Sequence, residues 1–497
     1  MSNNYQQGEL VVDSISIVNP EKESVDILNL TTNITIFEAI NTPFISGRIS
    51  VIDGLEIDNI YKLMGQESLT IKVRQREGVD EELSLPQFSI DKTFRIYSIT
   101  DMETINDTTK AYVIHFTDPK WFTCQNTKIN QCLRGSYSDM LLKVLYENAG
   151  FKDSKDPLVI DKWDKSTPGH HQMIVPGWNI NRFIDFIVDN SNPESSTTTW
   201  QNSMFFYQTL NGGFRFDSFD SMTRREFPVS FDTMARNSSN SEDVDLNAPG
   251  VGLNSQILGY KRDQKFNTMI GTTTGAYAAK LITYDPVRKV EEENVYSITE
   301  VFARGNDDGH TSKFPIIRTG QPQVDYAADD MISAQASPEI GEAHVDLSPE
   351  ITYDSFVVNK INMTNCYSDE AKLIDATGDK NIQQTKGQEF RDTGILERNA
   401  LLSILEQNSV SVSIPFRSDM SVGNMVKLNL PTAEIKDEDS KGDELMDNRY
   451  LIAKITTSID PLKNRGSLLL HAVKDSHGAD IKTHTPGKSV SGAEITC

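Results

Sequence analysis

Both ends of this 497-residue chain alternate apolar and polar residues with a period of two, and this pattern constrains the fold most strongly. Near the N-terminus the alternation recurs from Ile15 to Phe116, with turn signals such as Asn19-Pro20 between the runs. Successive side chains of a strand point to opposite faces, so the alternation indicates strands that are buried on one face. Short strands at this spacing predict a small barrel or sandwich over residues 1–118.

The middle of the chain, residues 119–250, combines helical and strand patterns. Ser136 or Ser138 can cap a first helix, and Asn179 can cap a second whose apolar residues fall at i, i+3, i+4, i+7 and i+8. The sequence FFYQTLNGGFRF then predicts a β-hairpin. We therefore expect an α+β domain here.

The β pattern returns towards the C-terminus. Residues 251–300 predict two strands that begin a second β domain, and residues 386–476 predict its remainder, a helix over about 388–407 followed by alternating strands. Residues 305–350 are rich in Gly, Pro, Asp and Ala and predict a loop-rich insertion over 301–385, and residues 477–497 predict a flexible polar tail. The predicted fold class is therefore α+β and β-rich.

A weak internal repeat links the two ends. GRISVIDG leads to GQESLTIKV near the N-terminus, and VSVSIPF leads to VGNMVKLNL near the C-terminus. Each is a strand, a polar connection, a glycine (Gly65 or Gly423) followed by Gln or Asn, and a second strand. Two explanations stay open, an internal duplication and the general pattern of β-hairpins.

Charge and cysteine content restrict the class of protein. Lys and Arg total 48 and Asp and Glu total 71, so the formal charge is 48 − 71 = −23, which excludes a general duplex-DNA binder. The four cysteines are too few for a disulfide scaffold. We find no secretory signal pattern at the N-terminus and no apolar run of about 18 residues. These features predict a soluble multidomain protein made in a reducing cytoplasm.

Two motifs approach a known ligand site without completing it. Pro486-Gly487-Lys488-Ser489 resembles the end of a phosphate-binding loop, but Lys482 stands where the first glycine belongs. Residues 306–309 (NDDG) suggest a calcium loop, but an EF-hand register would place an arginine at its first ligand and a proline at its last. A looser cation site at 306–309 stays an alternative.

The remaining candidate residues also lack the spacing that catalysis or metal binding requires. His170 and His171 have no third ligand nearby, and Cys124 and Cys132 are eight residues apart. The chain's tryptophans could line a sugar or partner site, although core packing is the simpler explanation; they are Trp121, Trp163, Trp178 and Trp200. We predict no catalytic, cofactor-binding or metal-binding residues, and no cofactor.

Three segments resemble one family when taken in order. VDILNLTTNITIFEAINTPFISGRISVIDG with MGQESLTIKV is similar to the N-terminal barrel of baseplate hub proteins of contractile-tailed bacteriophages. GAYAAKLITYDPVRKV resembles the start of that family's second barrel. ERNALLSILEQNSVSVSIPFRSDMSVGNMVKLNLP with NRYLIAKITTSID resembles its helix and closing strands. Residues 305–385 match no segment of the family.

The resemblance implies a fold, an assembly and a location. Each chain would contribute two tail-tube-like β-barrels around an α+β hub domain, and three chains would form a pseudo-six-fold ring. This homotrimer would join the tail tube and baseplate proteins to a central spike protein. It would be assembled in the host cytoplasm, reside in the virion and let DNA pass without specific binding. We also expect some of the acidic side chains to line the channel and repel DNA.

Two alternatives compete with a structural hub. One is the base of a contractile injection or secretion spike, which has the same barrels. The other is a tail-associated cell-wall hydrolase, which only the tryptophans support. The absence of a catalytic motif favours a protein that is not an enzyme.

Overall fold

The structure is a computed structural model. It describes residues 8–61, 63–75, 89–106, 108–151, 163–166, 171–193, 203–223, 225, 230–233, 256–264, 267–285, 289–297, 321–322, 356–361, 386–417, 419–430 and 448–477. The polar segment at 306–309, the loop-like 486–489 and the tail from 478 onwards lie outside these ranges.

The predicted β-rich α+β class is confirmed. The dominant feature is a 14-stranded, mostly antiparallel sheet to which both ends of the chain contribute. The strand order is open, from β13 at one end to β2 at the other, so the two barrels stay a prediction. None of the described helices is long and apolar enough to cross a membrane.

The first β-unit follows the alternation of the sequence closely. Ile15, Ile17 and the apolar positions after them point into the core, and their polar neighbours do not. The elements of this unit are β1 (Leu10–Val18), β2 (Ser24–Asp26), β3 (Thr31–Ala39), β4 (Ser46–Asp53), α1 (Ile57–Ile60), β5 (Ser68–Gln75), β6 (Ser89–Asn106) and β7 (Thr109–Thr117).

The α+β unit has both predicted helix caps. The Ser136 hydroxyl accepts from the Asp139 N–H at 3.2 Å, and the Asn179 side chain accepts from the Arg182 N–H at 2.9 Å. Its elements are α2 (Pro119–Asn126), β8 (Lys128–Gly135), α3 (Tyr137–Asn148), β9 (His171–Asn179), α4 (Ile180–Asn190), β10 (Met204–Thr209), β11 (Gly213–Ser218) and α5 (Phe219–Thr223). A hydrophobic core separate from that of the β-units holds it together.

The second β-unit draws its strands from a long stretch of sequence. Its strands in the large sheet are β12 (Ser230–Thr233), β13 (Gln256–Ile257), β14 (Gly259–Gln264), β19 (Ser409–Pro415), β20 (Met425–Asn429), β21 (Asn448–Asp460) and β22 (Arg465–Val473). The predicted helix before β19 is confirmed as α7 (Lys386–Gln407), and α6 (Thr268–Thr273) packs against it.

The strands predicted in GAYAAKLITYDPVRKV and after it form a separate small sheet. They are β15 (Ala278–Asp285) and β16 (Val290–Ser297), and β18 (Val357–Ile361) pairs with β15 in parallel. The two-residue strands β17 (Gln321–Pro322) and β23 (Ser476–His477) pair with each other. The expected loop-rich insertion, residues 301–385, therefore contains β17 and β18.

Candidate functional site

The structure does not bring the singled-out cysteines together as a ligand pair. Cys124 is buried on α2, whereas Cys132 is exposed on β8. Burial raises the pKa of the Cys124 thiol to about 12, so this group is a poor nucleophile and ligand at neutral pH. Among the described residues, no group of three His, Cys, Asp or Glu side chains could hold a metal ion.

Two of the tryptophans pack in the aromatic core of the α+β unit. The Trp163 ring lies 5.1 Å from that of Phe216, and the Trp178 ring lies 5.2 Å from that of Phe186. Trp121 is partly exposed on α2, and Trp200 lies outside the described residues. Core packing accounts for Trp163 and Trp178, the simpler of the two explanations that the sequence allowed.

The feature that does emerge is a duplicated sheet. In the first β-unit four neighbouring strands follow the order β3-β4-β7-β6, and in the second they follow the order β14-β19-β22-β21. The two middle strands of each set are the second and the fourth along the chain, β4 and β7 in the first unit and β19 and β22 in the second. The sequence repeat maps onto equivalent elements, since it consists of β4 and β5 in one unit and β19 and β20 in the other.

The glycines of that repeat occupy equivalent positions. Gly65 and Gly423 have φ angles of +85° and +77° and precede β5 and β20. Glu67 directly precedes β5, and its carbonyl accepts a hydrogen bond from the Ile96 N–H at 3.1 Å. Asn424 directly precedes β20, and its carbonyl accepts one from the Ile452 N–H at 3.0 Å. A left-handed φ favours glycine, so these positions are restricted by the backbone. The structure favours an internal duplication over the general hairpin pattern.

The core of the two units differs by an exchange of large and small side chains. Gly47 on β4 pairs with Phe116 on β7, and a Cβ at Gly47 would collide with the Phe116 ring. The pairing of β6 with β7 is bulged between Ile96 and Ser98, and that of β21 with β22 between Ile452 and Lys454. Aligning these two bulges makes Val410 and Ala472 the equivalent pair in the second unit. The bulky ring of the first pair lies on β7, whereas the second pair has its larger side chain on β19, the equivalent of β4.

The two units join through one pair of strand edges, β3 and β21. Six residues of β21, Lys454 to Ile459, pair antiparallel with β3 from Ala39 to Ile34. The Ser458 hydroxyl donates to the Asn33 side chain at 3.1 Å across this junction. Ile34 and Ile459 are fully buried, so the junction is part of the common core.

The tip of the β21–β22 hairpin reaches the other side of the first unit. The Leu10 N–H donates to the Asn464 carbonyl at 3.1 Å, and the Gly466 N–H donates to the Gly8 carbonyl at 2.9 Å. The same hairpin thus contacts β3 along one strand and the start of β1 at its tip.

The β10–β11 hairpin of the α+β unit packs against the first unit through buried polar groups. The Gln208 amide donates to Asp118 at 2.6 Å and accepts from the Ile45 N–H at 3.0 Å. The Leu210 N–H donates to the Glu38 carboxyl at 3.0 Å. Burial raises the pKa of Glu38 to about 7, against the opposing effects of that N–H and of Lys92.

The same hairpin contacts the second unit through Arg225. The Arg225 guanidinium pairs with the buried carboxylate of Asp217 on β11. It also donates to the carbonyl of Gly423, in the second unit, at 3.0 Å. The Tyr207 hydroxyl donates to Asp217 at 2.5 Å. The hairpin therefore holds the two β-units together from one side of the sheet.

The opposite face of the shared sheet is polar and rich in hydroxyl groups. Cross-strand pairing places these side chains in rows that continue across the β3–β21 junction. The hydroxyl side chains are Ser411, Ser413, Ser467, Thr456, Ser458, Ser46, Ser50, Ser98 and Thr100. The ionisable side chains on this face include Arg48, His115, Lys261, Asp263, Lys454, Asp460 and His471.

The sequence gives little sign of β14, the first strand of the second β-unit. The segment is short, and only Leu258, Tyr260 and their neighbours hint at alternation. The pairing of β3 with β21 also has no local signal, because the paired residues are more than 400 positions apart.

Comparison with known proteins gives structural neighbours only. No family model matches the chain, and no curated protein sequence does. The chain is similar to a tail protein from Neisseria meningitidis, with 9% identity, a TM-score of 0.46 and coverage of 93% of this chain and 96% of that one. It is also similar to a 43 kDa tail protein of prophage MuSo2 from Shewanella oneidensis, with 10% identity, a TM-score of 0.43 and coverage of 93% and 98%.

Secretion proteins are among the neighbours as well. An Escherichia coli component of the type VI secretion system, described as structurally similar to phage T4 tail proteins, has 10% identity and a TM-score of 0.36, with coverage of 96% of this chain and 79% of that one. Phage tail proteins and secretion components are the two classes that the sequence resemblance indicated.

Proposed function

We propose that this protein is a structural hub of a phage tail baseplate, in which three chains form a ring of six similar β-units. The observation that carries the proposal is the duplicated four-stranded order joined edge to edge within one chain. Two ring-forming units in each chain give three-fold symmetry by chain and approximate six-fold symmetry by unit. Such a ring can meet a six-fold tube on one side and a three-fold spike on the other.

The barrel character of the units is part of this proposal. The hairpin tip at residues 464–466, which bonds to the start of β1 while its first strand pairs with β3, supports a tube-like closure of the first unit. We propose the domain limits that the sequence predicts, with one change: β12 belongs to the second unit, because it pairs with β20.

The hydroxyl-rich face is the lining that we propose for the channel. The other face of the sheet carries the common hydrophobic core, which includes side chains of α7, so we propose that the polar face turns inward. This face carries charges of both signs among the described residues. We therefore propose a lining of hydroxyl groups and mixed charges for DNA passage, in place of the acidic lining expected from the net charge.

A role as the base of a secretion spike would use the same ring and stays the second candidate. Light scattering at micromolar concentration and negative-stain electron microscopy test the ring. We expect a mass of about three chains and a ring with six lobes. A strict monomer in both measurements would contradict the proposal. A cell-wall zymogram without clearing is the result expected for a protein that is not an enzyme.

A further inference from the structure

The β10–β11 hairpin bridges the junction between the two β-units of the chain. On the side of the first unit, the Gln208 side chain accepts from the Ile45 N–H, at the end of the connection between β3 and β4. On the side of the second unit, a Cβ at Gly423 would collide with the Tyr207 hydroxyl, so the hairpin lies directly over the segment before β20. The junction within the chain thus has one element that contacts both of its sides.

Matching hydrogen bonds identify the corresponding two places in the other unit. The segment before β5 corresponds to the segment before β20, since each accepts an N–H of the strand beside it. The connection from β14 to β19 corresponds to the connection from β3 to β4. At its end the Lys474 N–H donates to the Asn408 carbonyl at 3.1 Å, just as the Asp118 N–H donates to the Ile45 carbonyl at 3.1 Å. Helix α6 lies in the β14–β19 connection, shortly after β14.

The proposed ring brings these two places together from different chains. Within the chain β21 is joined to β3, so the other outer strands of the two four-stranded sets are β6 and β14. In a ring of alternating units, the β14 side of one chain therefore stands next to the β6 side of the following chain. The segment before β5 lies against β6, because its Glu67 carbonyl accepts from the Ile96 N–H.

The segment before β5 is apolar and exposed, unlike its covered counterpart before β20. Met64 is 75% exposed and Ile60 is 66% exposed. A Cβ at Gly65 would have only the carbonyl oxygens of Ile96 and Tyr97 near it, each 3.9 Å away. The space that Tyr207 fills over the second unit is therefore open over the first.

The helix on the other side of the junction is also apolar and exposed. Met269 of α6 is 84% exposed and Ile270 is 49% exposed. The opposite side of α6 packs against α7, and the Thr274 hydroxyl after it lies 2.5 Å from the Ser403 hydroxyl of α7. Two exposed apolar surfaces thus lie at the two places that the hairpin joins in the first junction.

Hydrogen bonds fix the backbone of both surfaces in advance. The buried Glu67 carboxylate accepts from the Met64 and Gly65 N–H groups, each at 2.8 Å. The Asn267 side chain caps α6 by accepting from the Ile270 N–H at 3.0 Å. A preorganised backbone loses less conformational entropy on association, so apolar side chains held in this way favour a docking contact.

We infer that Met269 and Ile270 on α6 of one chain pack against Ile60 and Met64 of the next chain. This contact takes, at the junction between chains, the place that the β10–β11 hairpin takes at the junction within the chain. It joins two different surfaces, and head-to-tail contacts of this kind close into a ring when the rotation allows. The inference rests on the proposed ring and names an apolar contact that holds it together.

Charged substitutions test the contact in the full-length chain. Met64→Lys and Met269→Glu should each raise the dissociation constant of the trimer about tenfold or more in sedimentation velocity, because each puts a charge into an apolar contact. The double variant should recover part of the loss, since Lys and Glu can pair across the contact. Both positions are exposed in the single chain, so the melting temperature of the dissociated chain should not change.

Ile174→Lys is the matched control for these variants. Ile174 is 72% exposed on β9 of the α+β unit, outside both surfaces. The control should leave the dissociation constant unchanged. Weakening of the trimer by Ile174→Lys to the same extent would show a general effect of added charge and would contradict the contact.

Cross-linking supplies a second measurement that does not depend on affinity. In a background with Cys132, Cys366 and Cys497 replaced by serine, Met64→Cys with Met269→Cys should give covalent trimers with a bismaleimide reagent, and neither single cysteine variant should. A link within one chain, which migrates as a monomer, would contradict the contact. Trimers that form normally but neither respond to the charged substitutions nor cross-link would overturn this contact and leave the ring standing. A monomeric wild type would overturn both.

Discussion

Glu38 offers a sharp test of how the α+β unit is held against the first β-unit. Its carboxyl is buried and accepts the Leu210 N–H at 3.0 Å. Replacing it with glutamine in Glu38→Gln keeps a side-chain oxygen that can accept this bond and removes the ionisation. The variant therefore isolates the effect of charge at a buried position.

The expected magnitude follows from the shift of the Glu38 pKa from 4.5 to about 7. Between these values the native chain keeps a proton that the unfolded chain has lost. The free energy of unfolding therefore falls as pH rises through this window, by about 1.4 kcal/mol per pH unit. The total change in the free energy of unfolding is about 3 kcal/mol. This stability is fully present below pH 4.5 and is lost above pH 7.

Urea denaturation at pH 5 and pH 8 measures the effect, and hydrogen exchange at the Leu210 amide reports it locally. At pH 5 the variant and the wild type should differ by less than about 1 kcal/mol, which is the internal control. At pH 8 the variant should be more stable by up to about 3 kcal/mol, with slower exchange at Leu210. An equal difference at both pH values would refute the argument that a buried, titrating carboxyl lies at this contact.

Three further results are expected. Gly47→Val should destabilise the chain by about 3 kcal/mol in urea denaturation, because its Cβ would meet both the Phe116 ring and the Thr35 carbonyl oxygen. Adding Phe116→Ala should recover the part of the loss that comes from the ring, and no recovery would argue against a clash with that ring. Gly423→Ala should lower the melting temperature, because φ is +77° and its Cβ would meet the Tyr207 hydroxyl, and an unchanged melting temperature would contradict this geometry. Chelator or added ATP should leave the melting temperature unchanged, whereas a real ligand at a hundred times its dissociation constant would stabilise by about 2.7 kcal/mol.

Local sequence determined the elements of this protein. Period-two alternation placed the strands of the first unit with the correct residues inward, as at Ile15 and Ile17. Helix α4 begins at its predicted cap, Asn179, because a side-chain oxygen next to a free N–H acts within one turn. Even the weak repeat around Gly65 and Gly423 identified equivalent positions, since a left-handed backbone restricts the residue type wherever it occurs.

Only the tertiary structure decided which strands are neighbours. Alternation fixes which face of a strand is buried, but it does not specify the strand on either side. The junction of β3 with β21 joins residues from opposite ends of the chain, and β14 enters the large sheet although its sequence is short and polar. Edge pairing depends on main-chain groups that every residue carries, so the contact that joins the two units leaves little trace in the sequence.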